Sequence, residues 1–229
     1  MEKVLTESYS SATKPFHFQG FHCKIKHLPV KRIFDLGFSF IVLLLLSPLY
    51  LLIGIAIRLS SQGKSIYFHE RIGRGGKPFR CYKFRTMYSN ADERLAEILY
   101  NDVNLQDEWE TCQKLKNDPR VTPIGKILRK FSLDELPQFW NVVRGDLSIV
   151  GPRPVLQVEI DKHFGSKAAK ILSIRPGITG IWQVSGRSDT TYAHRLTLDE
   201  RYVNENSFLL DLKLIARTIP VMFSSRGAY

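Results

Sequence analysis

The stretch LDELPQFW, residues 133–140, sets Asp134 and Glu135 side by side just ahead of Pro137, in a chain of 229 residues with a formal charge of +11. Adjacent carboxylates repel, so such a pair is either a solvated surface feature or part of a site that holds a cation or a phosphate. Arg144 in VVRGD and Arg153 in VGPRP follow closely. Acidic pairs bind Mg²⁺ through oxygen ligands and guanidinium groups grip phosphate oxygens bidentately, so together these are the parts of a phosphoryl-transfer site. A carboxylate can also attack phosphorus and carry the transferred group covalently. The plainer reading, Asp134 as a helix cap and Glu135 as a first-turn acid, explains the pair alone but leaves the arginines unused.

Pro137 fits the first turn of a helix, where its missing N–H has no intrahelical partner, so the helix here is expected to begin with Asp134 as N-cap or later. Leu136, Phe139, Trp140 and Val143 then form an apolar face at helical spacing, and Asp134 is held at the positive helix end. Other catalytic templates are absent: there is no GxSxG, no HExxH and no GxGxxG after a strand, and the His residues form no cluster.

The elements around the pair follow from patterning. SIYFHERIGRGGKPFRCYKFRTM alternates apolar and polar residues on either side of a Gly-rich turn and predicts a β-hairpin. Its GRGGK lacks the spacing of a phosphate loop and is followed by Pro78. A helical stretch is predicted from about Asp92 to Leu115, and PIGKILRKF is a short basic amphipathic helix. SIVGPRP and IRPGITGIWQVSGR are too rich in Gly and Pro for regular helix, yet their apolar content marks ordered loops. FLLDLKLIARTIPVMF suits either a membrane interface or the domain core. Residues 1–28 show no sustained period and read as a mobile arm.

Gly37 to Ile57 carries no charge and is long enough, at about 1.5 Å per residue, to reach across a hydrocarbon core of about 30 Å. Ser47-Pro48 sits near its centre, where Pro48 removes a backbone donor opposite Leu44 and the Ser47 hydroxyl can bond back. Lys31 and Arg32 precede the run and Arg58 and Lys64 follow it, which satisfies the positive-inside rule if both ends stay cytoplasmic. A re-entrant helical hairpin over 29–62 is therefore expected, with a kinked single span as its rival.

A sequence pI near 9.6 points to an anionic partner. Cys23, Cys81 and Cys112 show no metal-ligand or disulfide pattern and suggest reduced thiols. A tethered nucleic-acid module is disfavoured, because no helix-turn-helix, RRM or zinc pattern appears. A non-catalytic membrane scaffold would leave the acidic pair without a task.

The order of an apolar segment with a central Ser-Pro, KFRTM (83–87), SLDELPQFWNVVRGDLSIVGPRP (132–154) and RPGITGIWQVSGR (175–187) resembles the bacterial sugar transferase family. Its members are monotopic polyprenyl-phosphate phosphoglycosyl transferases that start exopolysaccharide, O-antigen and other glycan assembly. The ending SSRGAY is similar to exopolysaccharide-initiating galactose-1-phosphate transferases of the succinoglycan type. The larger members' four-span N-terminal portion has no counterpart in the sequence, so the minimal catalytic form is expected.

The resemblance implies an α+β fold: a re-entrant membrane helix with a Ser-Pro kink, then a compact, mostly helical catalytic domain over 63–229 with a β-hairpin and interfacial amphipathic helices. It implies transfer of hexose-1-phosphate from a UDP-hexose, UDP-galactose or UDP-glucose foremost, to undecaprenyl phosphate with release of UMP. N-acetylated or diamino sugars are the alternative donors. Asp134 would attack the β-phosphate, and Glu135 would bind Mg²⁺, shared with Asp134, or assist the lipid phosphate. Arg153 would hold phosphate, with Lys83, Arg85, Arg144, Arg175 and Arg187 as further phosphate candidates and Asp146, Pro152, Gln183 and Asp211 in support. The expected setting is the cytoplasmic face of the bacterial inner membrane. The partners are the UDP-hexose, undecaprenyl phosphate and the bilayer, with no nucleic acid; a homo-oligomer and downstream glycosyltransferases remain open as partners.

Overall fold

A computed structural model of the chain describes residues 28–112, 115, 117–186 and 191–223. The N-terminal arm expected over 1–28 therefore lies, apart from Leu28, outside the described residues, as do Arg187 and the SSRGAY ending. Helices α1 (Leu28–Leu45) and α2 (Ser47–Ser60) meet at Leu46 with a bend of 60°. Pro48 has no N–H for the Leu44 carbonyl, and Ser47 Oγ donates to that carbonyl at 2.8 Å instead. No single described helix is long and apolar enough to cross a membrane, but this bent pair passes that test together. Ile33, Phe40, Leu45, Leu51 and Leu59 face outward. The opposite side of α2 is spent on the protein: Ile53 and Ile57 bury against Phe84, Leu128 and Leu136.

The predicted hairpin is present. Strands β1 (Ile66–Ile72) and β2 (Pro78–Phe84) pair antiparallel with His69 opposite Cys81. Gly75 and Gly76 adopt φ of 72° and 74° in the turn, a backbone state that glycine reaches without steric cost. Cys81 and Phe84 point inward, and burial pushes the free Cys81 thiol up to about 11, consistent with an inert core residue. β1 stays largely exposed.

The helical stretch predicted over 92–115 is present and divides into two helices, α3 (Ala91–Asn101) and α4 (Val103–Cys112). The Asp102 carboxylate accepts from the N–H groups of Asn104 (2.9 Å) and Leu105 (3.2 Å), so it caps a new helix rather than continuing the old one. Helix α5 (Pro123–Lys130) matches the basic amphipathic segment and is capped by Thr122, whose hydroxyl accepts from Gly125 N at 3.0 Å.

Helix α6 (Gln138–Arg144) begins later than Asp134. Residues Leu133–Glu135 form a 3₁₀ turn closed by Glu135 N→Ser132 O and Leu136 N→Leu133 O, both 3.2 Å, and Pro137, which has no N–H to donate, separates it from the α-helix. The apolar face also differs from expectation. Leu136, Gln138, Asn141 and Val142 are buried, whereas Trp140 is half exposed.

The Gly/Pro-broken segments hold a second, unexpected sheet. Strand β3 (Ser148–Val150) pairs parallel with β4 (Gly177–Thr179). Between them run α7 (Gln157–Glu159), short turns over 160–167 and α8 (Ala168–Ile171). A Cβ on Gly177 would lie 2.0 Å from Gly151 N, so this crossing needs glycine. Helices α9 (Ile181–Val184), α10 (Tyr192–Glu205) and α11 (Phe208–Phe223) complete the domain. Val142, Leu147, Val150, Tyr202 and Leu214 form the core beneath them, with Phe34 and Phe38 of α1 packed on it. Helix α11 thus completes the core through Leu214 while Leu209, Leu212 and Ile219 remain exposed. The fold is mixed, mostly helical with small sheets, and the apolar helix pair is fused to it.

Candidate active site

The acidic pair is assembled from the 3₁₀ turn before α6 and the end of β2. Lys83 Nζ lies 2.6 Å from Glu135 Oε1 and 3.7 Å from Asp134 Oδ2. Burial pulls the Lys83 ammonium down, but Glu135 and Asp134 more than offset this and hold it above its ordinary range. Burial pushes the Asp134 carboxyl up to about 6; Lys83 opposes that rise and Glu135 adds to it. At neutral pH Asp134 is thus ionised yet sheltered, the state a carboxylate nucleophile requires. Arg129 of α5, held by Nε→Thr86 Oγ1 at 3.0 Å, adds a further positive charge within reach of Asp134.

Helix α2 supports the same turn from below. The Tyr50 hydroxyl donates to the Leu136 carbonyl, and Leu133 and Phe139 pack on the cluster formed by Ile53, Ile57 and Leu128. On the other side Asn141, fully buried, accepts from Tyr82 N at 3.0 Å and donates to Arg80 O at 2.7 Å and Asp146 Oδ2 at 3.0 Å, which locks α6 to β2. Asp146 therefore serves this junction.

Arg153 lies close enough to Glu135 for the two charges to interact. Burial and neighbouring Arg195 pull its pKa below the usual value, with Glu135 opposing. Its guanidinium carbon sits 5.1 Å from the Trp182 ring centroid, and Arg195 sits 5.1 Å from the same ring. Arg195 in turn meets Glu159 at 3.1 Å and Asp199 at 3.8 Å, and Arg71 meets Glu159 at 3.5 Å. Burial pushes Asp199 up to about 7, with Arg195 opposing. This polar layer behind Arg153 escaped the sequence reading, although Arg195 and Asp199 stand at helical i, i+4 spacing and Trp182 lies inside a quoted motif.

The remaining candidates are dispersed. Both terminal nitrogens of Arg85 are taken by the carbonyls of Ser61 and Gln62, closing the end of α2. Arg144 is half exposed, 3.1 Å from the Tyr82 hydroxyl and 3.4 Å from Asp146. Arg175 donates to Gly145 O at 2.8 Å and lies with Arg32 and Arg74 rather than with Asp134. The Pro152 carbonyl accepts from Gly177 N at 2.8 Å, and Gln183 Oε1 is buried without a hydrogen-bond partner among the described residues. Asp211 is buried between Lys31 (2.7 Å) and the Tyr202 hydroxyl (2.6 Å), pinning the start of α1 to α11.

No group of three or more His, Cys, Asp or Glu suited to a metal occurs among the described residues. Asp134 and Glu135 nevertheless fit Mg²⁺ as a partial site, because that ion commonly takes one or two carboxylates and fills the remaining positions with water and substrate phosphate. Lys83 occupies the cation's place against Glu135 in this structure.

A sheltered carboxylate pair with a lysine across it and guanidinium groups behind it has the groups that phosphate handling requires. Residues 26–225 match the bacterial sugar transferase family; the chain belongs to it and is an enzyme of that class. It is 47% identical over 199 residues to the exopolysaccharide production protein ExoY of Sinorhizobium fredii, covering 87% of this chain and 88% of that protein. It is 43% identical over 200 residues to the undecaprenyl-phosphate galactose phosphotransferase of Salmonella typhimurium, covering 87% of this chain and 42% of that one. The UDP-glucose:undecaprenyl-phosphate glucose-1-phosphate transferase of Caulobacter vibrioides is 35% identical over 207 residues, with 87% and 72% covered.

Proposed function

We propose that the enzyme transfers hexose-1-phosphate from UDP-galactose or UDP-glucose to undecaprenyl phosphate at the cytoplasmic face of the bacterial inner membrane, opening exopolysaccharide assembly. The observation that carries this reading is the raised, sheltered Asp134 carboxylate beside Glu135 and Lys83. Asp134 Oδ attacks the β-phosphorus; the bond from that phosphorus to the bridging oxygen breaks, and UMP leaves with the electron pair. A phosphate oxygen of the lipid then attacks the same phosphorus, displaces Asp134 and gives undecaprenyl-diphospho-hexose. Lys83 and Arg129 offset the repulsion between the carboxylate and the diphosphate, and Arg153 approaches from the Glu135 side. Asp134 and Glu135 would hold Mg²⁺, which when bound neutralises charge on the diphosphate oxygens.

The lipid acceptor gives the helix pair its purpose. With both flanks basic and the outward face apolar, α1 and α2 enter and leave the bilayer on one side and set the carboxylates near the headgroup plane. The family names of the relatives, galactose and glucose transferases both, support these two donors.

Asp134→Asn is expected to abolish UMP release while the variant remains folded and membrane-bound. Wild-type protein given UDP-hexose without lipid is expected to gain the mass of a phosphohexose on the peptide containing Asp134. Unchanged turnover in the Asn variant would remove Asp134 as nucleophile, and turnover with no adduct at any time point would overturn the two-step course. A panel of UDP-sugars with undecaprenyl phosphate identifies the donor.

A further inference from the structure

The two ends of the hairpin serve different surroundings. Its open end carries Lys83 at the acidic pair, while its turn, Arg74–Gly76, begins beyond Pro78, which is about 17 Å from Lys83 along the strand at about 3.3 Å per residue. Beside that turn is a small cleft of about 30 Å³, lined by Lys31, Arg32, Asp35, Arg74, Arg175 and Asn206 among others.

Its acids are already committed. Asp35 accepts from Ser148 Oγ at 2.7 Å and Ile149 N at 3.3 Å, and nearby Asp211 is taken by Lys31 and Tyr202. Lys31 is spent on Asp211, and Arg32 donates its two terminal nitrogens to the carbonyls of Val142 (2.7 Å) and Val143 (3.1 Å), which leaves Arg175 and Arg74 with unused donors. Arg175 spends only Nε, on Gly145 O, and Arg74 has no hydrogen-bond or ion-pair partner among the described residues. Burial, Arg32 and Arg74 together pull the Arg175 pKa below its usual value, so the guanidinium groups repel one another where they stand. An anion bridging Arg74 and Arg175 would relieve that repulsion and satisfy their free donors.

Exposed apolar residues occur at two helix ends that adjoin the cleft in sequence. Val30, next to Lys31 in the first turn of α1, is 54% exposed, and Leu209 at the start of α11 is 63% exposed. Basic groups beside outward apolar residues match a ligand with a phosphate head and a hydrocarbon tail. We propose that this cleft binds the phosphate of an anionic membrane phospholipid, separately from the acceptor lipid at Asp134. The choice of a lipid over free phosphate rests on the membrane placement proposed above.

The test uses the full chain in detergent micelles, with phosphatidylglycerol or phosphatidylcholine added and retention read by native mass spectrometry. Wild-type protein is expected to retain phosphatidylglycerol at least tenfold better than phosphatidylcholine. Arg74→Glu should lose that preference, whereas Lys64→Glu, the same charge change outside the cleft, should keep it. Arg74→Gln gives a neutral version should the reversed charge impair folding. Equal phosphatidylglycerol retention by wild type and both Arg74 variants would overturn the proposal. Full displacement of the lipid by inorganic phosphate at matched concentration would assign the cleft to free phosphate and overturn the lipid assignment. If instead the membrane placement is wrong, wild type and variants alike fail to associate with vesicles of any composition, a result distinct from loss of headgroup preference.

Discussion

Removing the Lys83 charge should move the acidic limb of the pH–rate profile. Lys83 Nζ stands 3.7 Å from Asp134 Oδ2 and is the largest influence opposing the effect of burial on that carboxyl. With an effective dielectric of about 20, a pair at that distance interacts by about 4.5 kcal/mol, or about 3 pH units at 1.36 kcal/mol each. Lys83 is 20% exposed, so solvent and salt reduce this, and a movement of one to two pH units is expected in Lys83→Met. The limb in kcat/KM, which reports the free enzyme, should shift from about 6 in the wild type to about 7.5. The ratio of kcat/KM at pH 8.5 to that at pH 6.5 is then about 1.3 in the wild type and about 10 in the variant, from the ionised fractions alone. A ratio avoids any uniform loss of substrate binding, and Lys83→Arg should keep it near the wild-type value. If Lys83→Met lowers activity equally at both pH values, Asp134 ionisation is not what Lys83 controls and the nucleophile assignment loses its electrostatic support.

Other perturbations have definite expected outcomes. Asp134 titrates near 6 when folded against a usual 3.8, so its contribution to stability falls as pH rises from about 4 to about 6; Asp134→Asn should therefore raise Tm at pH 7, by an amount that shrinks at pH 5. Tyr50→Phe removes the bond to the Leu136 carbonyl and should cost about 1 kcal/mol in thermal stability, with a loss of kcat. Asn141→Ala leaves Tyr82 N and Arg80 O without their side-chain partner at a fully buried position and should destabilise by about 2–3 kcal/mol in denaturant titration. Gly177→Ala forces a Cβ to 2.0 Å from Gly151 N and should prevent accumulation of folded protein.

Local signals were legible in the sequence and long-range pairings were not. Alternation around GRGGK gave the hairpin, and Ser47-Pro48 gave both the break and the hydroxyl that repairs it, because each depends on residues within a turn of one another. Asp102 was readable in principle as a second helix cap but was submerged in a Glu- and Leu-rich run. The β3–β4 pairing joins segments far apart in the chain through Gly151 and Gly177, a close approach that short Gly/Pro-broken runs do not advertise. The same limit applies to the site. Asp134 and Glu135 stand out by adjacency, but that Lys83 faces them, that Arg85 is spent on α2 and that Arg175 belongs to another cleft are decided by tertiary contacts.

The hydrogen bond from Tyr50 to Leu136 has a physiological corollary. It joins α2 to the chain two residues beyond Asp134, and Ile53 and Ile57 reinforce the joint from the same helix. Under the membrane placement proposed above, any vertical displacement of the helix pair carries Asp134 with it. In a bilayer thinner or thicker than the pair prefers, mismatch would be relieved by tilt or by a change in height, at fractions of a kcal/mol per Å. Hydrocarbon thickness would then act as a rate-setting variable, tuning the distance between carboxylate and lipid phosphate without altering a single contact inside the catalytic domain.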